Sequence, residues 1–143
     1  MNRHQSKLPP DLTKRAERLT ATIAALKVKI QQIFDEGEVA PPGCYVARYQ
    51  VRQKQKVYWY YKLQATEAIF EQATDRQKKS KYKHLGRAGS PEHITAVIQV
   101  ARRTQIDELE RTINSLASSL LDLYYDGETE IIPEGRDRSD CSY

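Results

Sequence analysis

Cysteine is almost missing from this chain, and the two that occur do not cooperate. Cys44 lies in a Pro-Gly turn and Cys141 close to the end, so the 143 residues offer neither the clustered spacing of a metal site nor a disulfide framework. Both are expected to be free thiols in a reducing compartment. Long apolar runs are absent as well, since no stretch approaches the roughly 20 residues that a membrane span needs. The opening Met1-Asn2-Arg3-His4-Gln5-Ser6-Lys7 leads into no apolar signal core, which makes a cytosolic location the expectation and a membrane an unexpected partner. A mean hydropathy of −0.73 with 39% hydrophobic residues allows one modest core, and 29% charged residues suit long helices better than a compact globule.

The fourth scarcity is local. Between Tyr45 and Arg103 the chain carries only four Asp or Glu against thirteen Lys or Arg, although the formal charge of the whole is just +4. Basic charge is thus concentrated in the middle, around the aromatic run Val57-Tyr58-Trp59-Tyr60-Tyr61-Lys62-Leu63. Basic residues interleaved with aromatics suit a surface that neutralises phosphates and stacks on bases.

On either side of this segment the sequence reads as helix. Leu12, Ala16, Leu19, Ile23, Leu26, Ile30 and Ile33 recur in steps of four and three behind a capping Asp11, and Gly37 supplies a left-handed stop. Ser90-Pro91-Glu92 is a strong start signal for a second helix, with Ser as cap, Pro in first position and an acid in the first turn. Its later part repeats the seam as Ile106, Leu109, Ile113, Leu116, Leu120 and Leu123. The earlier Ile94, Val97, Ile98 and Ala101 are out of phase by one residue, and are expected to cover one face of a sheet.

That sheet is expected from Tyr45–Arg52 and Val57–Leu63, joined by the polar turn Gln53-Lys54-Gln55-Lys56, and from a short third run, Lys81–Leu85. Sorting each strand by its own alternation puts Tyr45, Ala47, Tyr49, Val51, Val57, Trp59, Tyr61 and Leu63 against a helix. The opposite face then shows Arg48, Gln50, Arg52, Tyr58, Tyr60 and Lys62, joined by Lys81 and Lys83 or by their neighbours. Residues 64–80 read as a loop with a short helical turn at 67–73 and a flexible basic arm at Arg76-Gln77-Lys78-Lys79.

The fold class expected is therefore α+β: two long helices in an antiparallel coiled-coil hairpin with an inserted three-stranded antiparallel β-meander. A single domain spans 1–126, with helices at 11–36 and 90–126 and the meander at 44–86, followed by an acidic disordered tail at 127–143. The helices leave a second arrangement open, a homodimer through their seams.

No coherent set of acid, base, nucleophile or metal ligands stands out, so neither an enzyme nor a cofactor nor a small-molecule substrate is expected. His84 and His93 lack the Cys or acidic neighbours of a metal site, and read as packing residues or phosphate contacts. Tyr124-Tyr125 have no Arg-His constellation around them and read as the end of the seam. Gly86-Arg87-Ala88-Gly89 misses the Lys-Ser/Thr of a phosphate loop and reads as a turn, though the helix start at Ser90–Glu92 offers one phosphate contact beside Arg87. The basic aromatic sheet is the strongest functional signal. Arg48, Arg52, Lys54, Lys56, Lys62, Lys78, Lys79, Lys81, Lys83 and Arg87 are candidates for phosphates, and Gln50, Tyr58 and Tyr60 for bases or sugars. The competing reading is a solvated strand face whose lysines and arginines guard sheet edges.

The order of a strand, the Tyr58-Trp59-Tyr60-Tyr61 strand, Lys81-Tyr82-Lys83-His84-Leu85-Gly86, then Gly89-Ser90-Pro91-Glu92 and a long helix resembles the three-stranded arm-binding domains of phage and transposon integrases. It is also similar to small bacterial proteins, many from cyanobacteria and mobile elements. Both resemblances cover about residues 43–110. The first implies a sheet face entering the major groove of DNA, and the chain departs from it in having a long helix before the sheet and no catalytic domain after it. The second implies no activity. The function expected is a non-enzymatic DNA-binding accessory or regulatory protein of the bacterial cytosol or nucleoid, linked to a mobile element, with RNA left open as the ligand. The alternative is a coiled-coil adaptor whose basic sheet meets an acidic protein.

Overall fold

A computed structural model describes residues 9–125, in the order α1 (Pro10–Glu36), β1 (Tyr45–Gln53), β2 (Lys56–Gln64), β3 (Phe70–Glu71), β4 (Lys79–Ser80), β5 (Tyr82–Arg87) and α2 (Pro91–Tyr125). The acidic segment 127–143, with Cys141, lies outside the described residues. The class is α+β, with two helices and a three-stranded antiparallel sheet. Two compact units divide the chain: one holds the described residues up to Leu26 and from Thr112 onward, the other holds Lys27–Arg111.

The first unit is made of helix alone. Pro10 takes the first helical position of α1, where its missing N–H costs nothing, and Thr13 donates its N–H back to the Pro9 carbonyl (2.9 Å). The helix thus starts one residue before Asp11, which instead sits in the first turn 3.6 Å from Arg15. Within this unit Leu12, Ala16, Leu19, Ile23 and Leu26 of α1, and Ile113, Leu116, Leu120 and Leu123 of α2, are the covered positions of each helix. Leu19 and Leu123 line a common cavity of about 540 Å³. Tyr124 and Tyr125 are exposed.

In the second unit β1, β2 and β5 form one sheet in that spatial order, each pair antiparallel. The hairpin turn is tighter than the four-residue turn expected: Gln53 pairs with Lys56, leaving only Lys54 and Gln55 to reverse the chain at φ values of 47° and 67°. Two positive φ angles in succession mark a type I′ turn, whose twist matches that of the strands. Residues 64–80 form neither a loop with a helical turn nor a free arm. They fold into a two-stranded ribbon of β3 and β4, closed by Lys78 N–H donating to the Asp75 carbonyl (3.1 Å) and by Gln77 N–H donating to Asp75 Oδ1 (3.0 Å). Asp75 is a turn former by such local bonds, and its signal outweighs the weak helical pattern of 67–73.

The core of this unit is small in both senses. It consists of Ala40, Cys44, Leu63, Ala65, Leu85 and Ala96, with Val46, Tyr61, Phe70 and Val100 packed around it. Because four of the six are Ala or Cys, α2 must lie close to the sheet to fill the space. It therefore turns Ala96 inward and stacks His93 on Tyr61, ring centroids 3.9 Å apart. The expected covering residues face the other way: Ile94, Val97 and Ile98 are 48%, 41% and 46% exposed. The seam of Ile106 continues back through Arg103, Val100, Ala96 and His93, so one stripe runs the length of α2 and the larger apolar residues are left outside it.

A strap between α1 and β1 fixes this part of α2. Arg102 Nη1 donates to the Glu38 carbonyl (3.0 Å), Arg103 Nε to the Ala40 carbonyl (2.7 Å), and Ala40 N–H to the Gln99 carbonyl (3.1 Å). Gly37 is not the left-handed stop expected, since its φ is not positive. Its lack of a side chain serves Arg102 instead, for a Cβ there would stand 2.6 Å from Nη1. The left-handed glycine of the strap is Gly43 (φ 77°), third residue of the Pro41-Pro42-Gly43-Cys44 turn closed by Cys44 N–H to the Pro41 carbonyl (3.3 Å).

Candidate nucleic-acid interface

Strands β1, β2 and β5 contain Arg48, Arg52, Lys56, Lys62, Lys83 and Arg87 and not a single Asp or Glu. With Lys54 in the turn and Lys81 just before β5, eight basic side chains gather on one sheet. Among the described residues none of the eight forms an ion pair. Outside the sheet four basic residues of the described chain are paired, Arg15 with Asp11, Lys79 with Glu71, Arg103 with Asp107 and Arg111 with Glu108, while others on the helices and the ribbon are not, so it is the local lack of acids that sets the sheet apart.

Which side chains share a face follows from the register. Directly opposed residues of an antiparallel pair project to the same side. Because Gln53 faces Lys56, every odd-numbered residue of β1 faces an even-numbered residue of β2: Ala47 meets Lys62, Tyr49 meets Tyr60 and Val51 meets Tyr58, while Arg48 meets Tyr61, Gln50 meets Trp59 and Arg52 meets Val57. The face expected from sorting the strands one at a time is therefore divided. Arg48, Gln50 and Arg52 lie on the side that α2 partly covers, and Tyr58, Tyr60 and Lys62 on the other. Tyr49 and Val51 belong to the open side and not to the core.

β5 extends both faces. Its register slips between Tyr61 and Lys62, with Gly86 (φ 85°) opposite Tyr61 and His84 opposite Lys62. The extra residue, Leu85, turns into the core, as a bulge permits. His84 and Tyr82, paired with Lys62 and Gln64, join the open face, whereas Lys83 lies opposite Leu63 on the helix side beside Glu92 and Gln99. The neighbours of Lys81 and Lys83 are thus the ones that reach the open surface.

The open face is an aromatic field studded with cations. Tyr49 and Tyr60 stack with centroids 6.0 Å apart and planes 29° apart, and His84 meets Tyr49 edge-on at 6.1 Å while a hydrogen bond of 3.0 Å joins its Nδ1 to the Tyr49 hydroxyl. Lys62 Nζ lies 4.3 Å from the Tyr82 ring and 5.4 Å from that of Tyr49, and the Arg87 guanidinium 4.8 Å from Tyr58. These cation–π contacts hold the positive groups on the sheet without neutralising them. On the other side, the hairpin end outruns the cover of α2: Trp59 is 40% exposed with Arg48 3.9 Å above its ring, and Gln50, Arg52 and Val57 are exposed beside it. Trp59, expected in the core, is a surface residue.

The remaining candidates lie at the margins of the sheet or off it. Lys78 and Lys79 belong to the ribbon, and Lys79 is tied to Glu71 at 3.8 Å. Lys56 closes the hairpin opposite Gln53, and Lys81 offers its carbonyl to Ala65 N–H (2.8 Å). The start of α2 caps itself. Ser90 Oγ accepts the His93 N–H (3.1 Å) and donates to the Leu85 carbonyl (2.6 Å), Gly89 N–H donates to His93 Nδ1 (3.0 Å), and Pro91 has no N–H, so few amides are left for a phosphate. His84 and His93 both act as packing and hydrogen-bonding residues, and no group of three or more His, Cys, Asp or Glu is placed for a metal among the described residues. Cys44 is buried, and the loss of solvent pushes its thiol up, against a smaller opposing pull from Arg103. Tyr45, Tyr49, Tyr82 and His84 are the aromatic members of the open face that alternation alone missed. The signal that finds them is the parity of the hairpin, not the polarity of each strand.

No protein-family model, no curated protein and no solved structure matches this chain. No helix among the described residues is long and apolar enough to cross a membrane.

Proposed function

We propose that this chain is a non-enzymatic nucleic-acid-binding protein, an accessory or regulatory factor that uses its three-stranded sheet as the contact surface, with DNA as the first ligand and RNA as the alternative. One observation carries the reading: three strands with six basic residues and no acid, none of the six in an ion pair among the described residues, present tyrosines on the face turned away from Ala96 of α2. A merely solvated face would gain from interspersed acids, which also limit self-repulsion. Uncompensated charge next to aromatic rings is instead suited to a polyanion with stackable bases. The two helical seams, in this reading, pair as an antiparallel coiled-coil hairpin that serves as a handle. A role with a mobile element rests on the resemblance to integrase arm-binding domains alone.

Salt-titrated binding is the test. The logarithm of affinity for duplex DNA is expected to fall linearly with the logarithm of salt, with a slope of about −0.9 per neutralised phosphate. Binding that is undetectable or insensitive to salt on duplex and single-stranded DNA and RNA alike would remove the proposal.

A second reading, a protein-interaction adaptor, is favoured by Ile94, Val97, Ile98 and Ala101, an exposed apolar stripe along the first turns of α2.

A further inference from the structure

Resting on the nucleic-acid reading of the same sheet, we infer that its ligand is a single strand, laid across the open face with its bases on the tyrosines and one base turned into the cleft beside Tyr82. Three features converge on this. The first is what the face lacks. Side chains that read the edges of paired bases, above all Arg and Gln in bidentate contacts, are thin there: the register sends Arg48, Gln50 and Arg52 to the opposite side and leaves Arg87, held over the Tyr58 ring, and Gln64 at the ends of the β2–β5 pairing. The open face offers rings, and the Tyr49 hydroxyl is already joined to His84. A duplex hides the flat faces of its bases and exposes only their edges, so rings have little to grip on it. An unpaired strand exposes those flat faces, and every base has one.

The second feature is spacing. The Tyr49 ring lies 6.0 Å from that of Tyr60 and 6.1 Å from that of His84, stacked on the first and edge-on to the second, with Tyr58 one pair further along β2, Lys62 on the same central strand and Arg87 on β5. Rings and two cations thus share the field, which suits a strand whose bases stack while its phosphates meet positive charge.

The third is a concavity at the edge of this field. Between β5 and the β3–β4 ribbon lies a cleft of about 510 Å³, bordered by Tyr82, Lys83 and His84 on the sheet and by Gln72, Thr74, Ser80 and Glu71, the last paired with Lys79, on the ribbon side. That volume is within the range of roughly 300–1,000 Å³ typical of small-ligand sites. Tyr82 supplies a ring for stacking, Thr74 a hydroxyl, and Gln72 and Ser80 an amide and a hydroxyl that already meet the Lys79 carbonyl (3.4 Å) and the Tyr82 N–H (3.1 Å) and keep an acceptor and a donor, respectively, for a base edge. Lys62, 4.3 Å from the Tyr82 ring, is placed for the phosphate that leads into the cleft. The ribbon thus acquires a role, as the wall that turns a flat face into a site with an end.

The test compares three probes of about 12 nucleotides, within the usual site size for a single domain: single-stranded DNA, single-stranded RNA of the same sequence, and the corresponding DNA duplex, all with the full-length chain at one salt concentration. Either single strand is expected to bind at least about tenfold more tightly than the duplex. Preference for the RNA or the DNA strand identifies the sugar, and both outcomes support the inference. Tyr82→Ala and Tyr60→Ala are each expected to weaken single-strand binding by about 5- to 150-fold, the loss of one stacked base, with the salt slope unchanged. Tyr82→Phe, which keeps the ring, is expected to retain binding within about threefold and guards against a folding artefact, alongside unchanged thermal melting. Duplex binding equal to or tighter than single-strand binding overturns the inference while leaving the nucleic-acid reading intact. Full affinity in Tyr82→Ala overturns the cleft. Failure of all three probes removes both readings together.

Discussion

Tyr49 and Tyr60 stand directly opposite each other on β1 and β2, and their rings stack 6.0 Å apart on the open side of the sheet. The pair lies among Lys62, His84, Tyr58 and Arg87, so a cross-strand contact worth roughly 0.2–1 kcal/mol to the sheet is also the centre of the proposed interface.

Cations on this face should behave differently from those outside it. Lys62→Ala and Arg87→Ala are each expected to weaken nucleic-acid binding and to flatten the salt dependence by about one unit of slope, because each removes one phosphate contact. Lys79→Ala, which removes a charge already held by Glu71, is expected to change neither. Equal effects from all three in the same titration would place the ligand elsewhere.

The orientation of α2 can be checked by stability alone. Ala96→Leu inserts volume between the helix and the sheet at a 4% exposed position, and should cost about 1–3 kcal/mol in urea unfolding. Ile98→Ser, on the opposite side, should cost less than about 1 kcal/mol. The reverse order would mean that the apolar stripe, not Ala96, faces the sheet.

Gly37 and Arg102 form a second point of close fit. Gly37→Ala sets a methyl 2.6 Å from the guanidinium end of Arg102, which can swing aside at the loss of its bond to the Glu38 carbonyl, and is expected to cost about 0.5–1.5 kcal/mol. Adding Arg102→Ala should return part of that loss, since the obstacle is then gone. Strictly additive losses in the double mutant would show that the two residues do not meet.

The hairpin turn carries strain that glycine relieves. Gln55 has φ 67°, a conformation that costs an ordinary residue about 1–2 kcal/mol, so Gln55→Gly is expected to stabilise the protein by about 0.5–1 kcal/mol after the added freedom of the unfolded chain is counted. A fall in melting temperature would contradict the two-residue turn.

Cys44 gives a pH signature. Burial raises its pKa above the ordinary 9.0, so the folded chain holds this proton more tightly than the unfolded chain. The corresponding stability is fully present below about pH 9.0 and is lost as pH climbs past it. In a Cys141→Ser background, alkylation of the remaining thiol should be slow until denaturant is added, and rapid alkylation of the native protein would show that Cys44 is not buried.

Much of this molecule was readable from residue order. The capping Ser90-Pro91-Glu92 marks the start of α2, and the steps of three and four from Leu12 to Ile33 and from Ile106 to Leu123 name the covered side of each helix, because a helical stripe is a property of one segment and its 3.6-residue period. The concentration of unopposed basic charge on the strands is likewise a fact of composition. Relations between segments were not readable in the same way. Arg48 and Tyr60 look alike in their own strands, both alternating with apolar neighbours, yet a two-residue turn at Lys54-Gln55 sends them to opposite faces. Ile94 and Ile98 look like the residues that should cover a sheet, but a core of Ala40, Cys44, Ala65 and Ala96 admits only a close approach, and they are left outside. Local period and composition were enough to mark both helices, the strands β1, β2 and β5 and the site of the basic charge, but not the β3–β4 ribbon, whose two-residue strands are too short to show a period. Which side chains stand together emerged from folding alone, because a face is settled by the parity of pairing and by the volume left between packed elements.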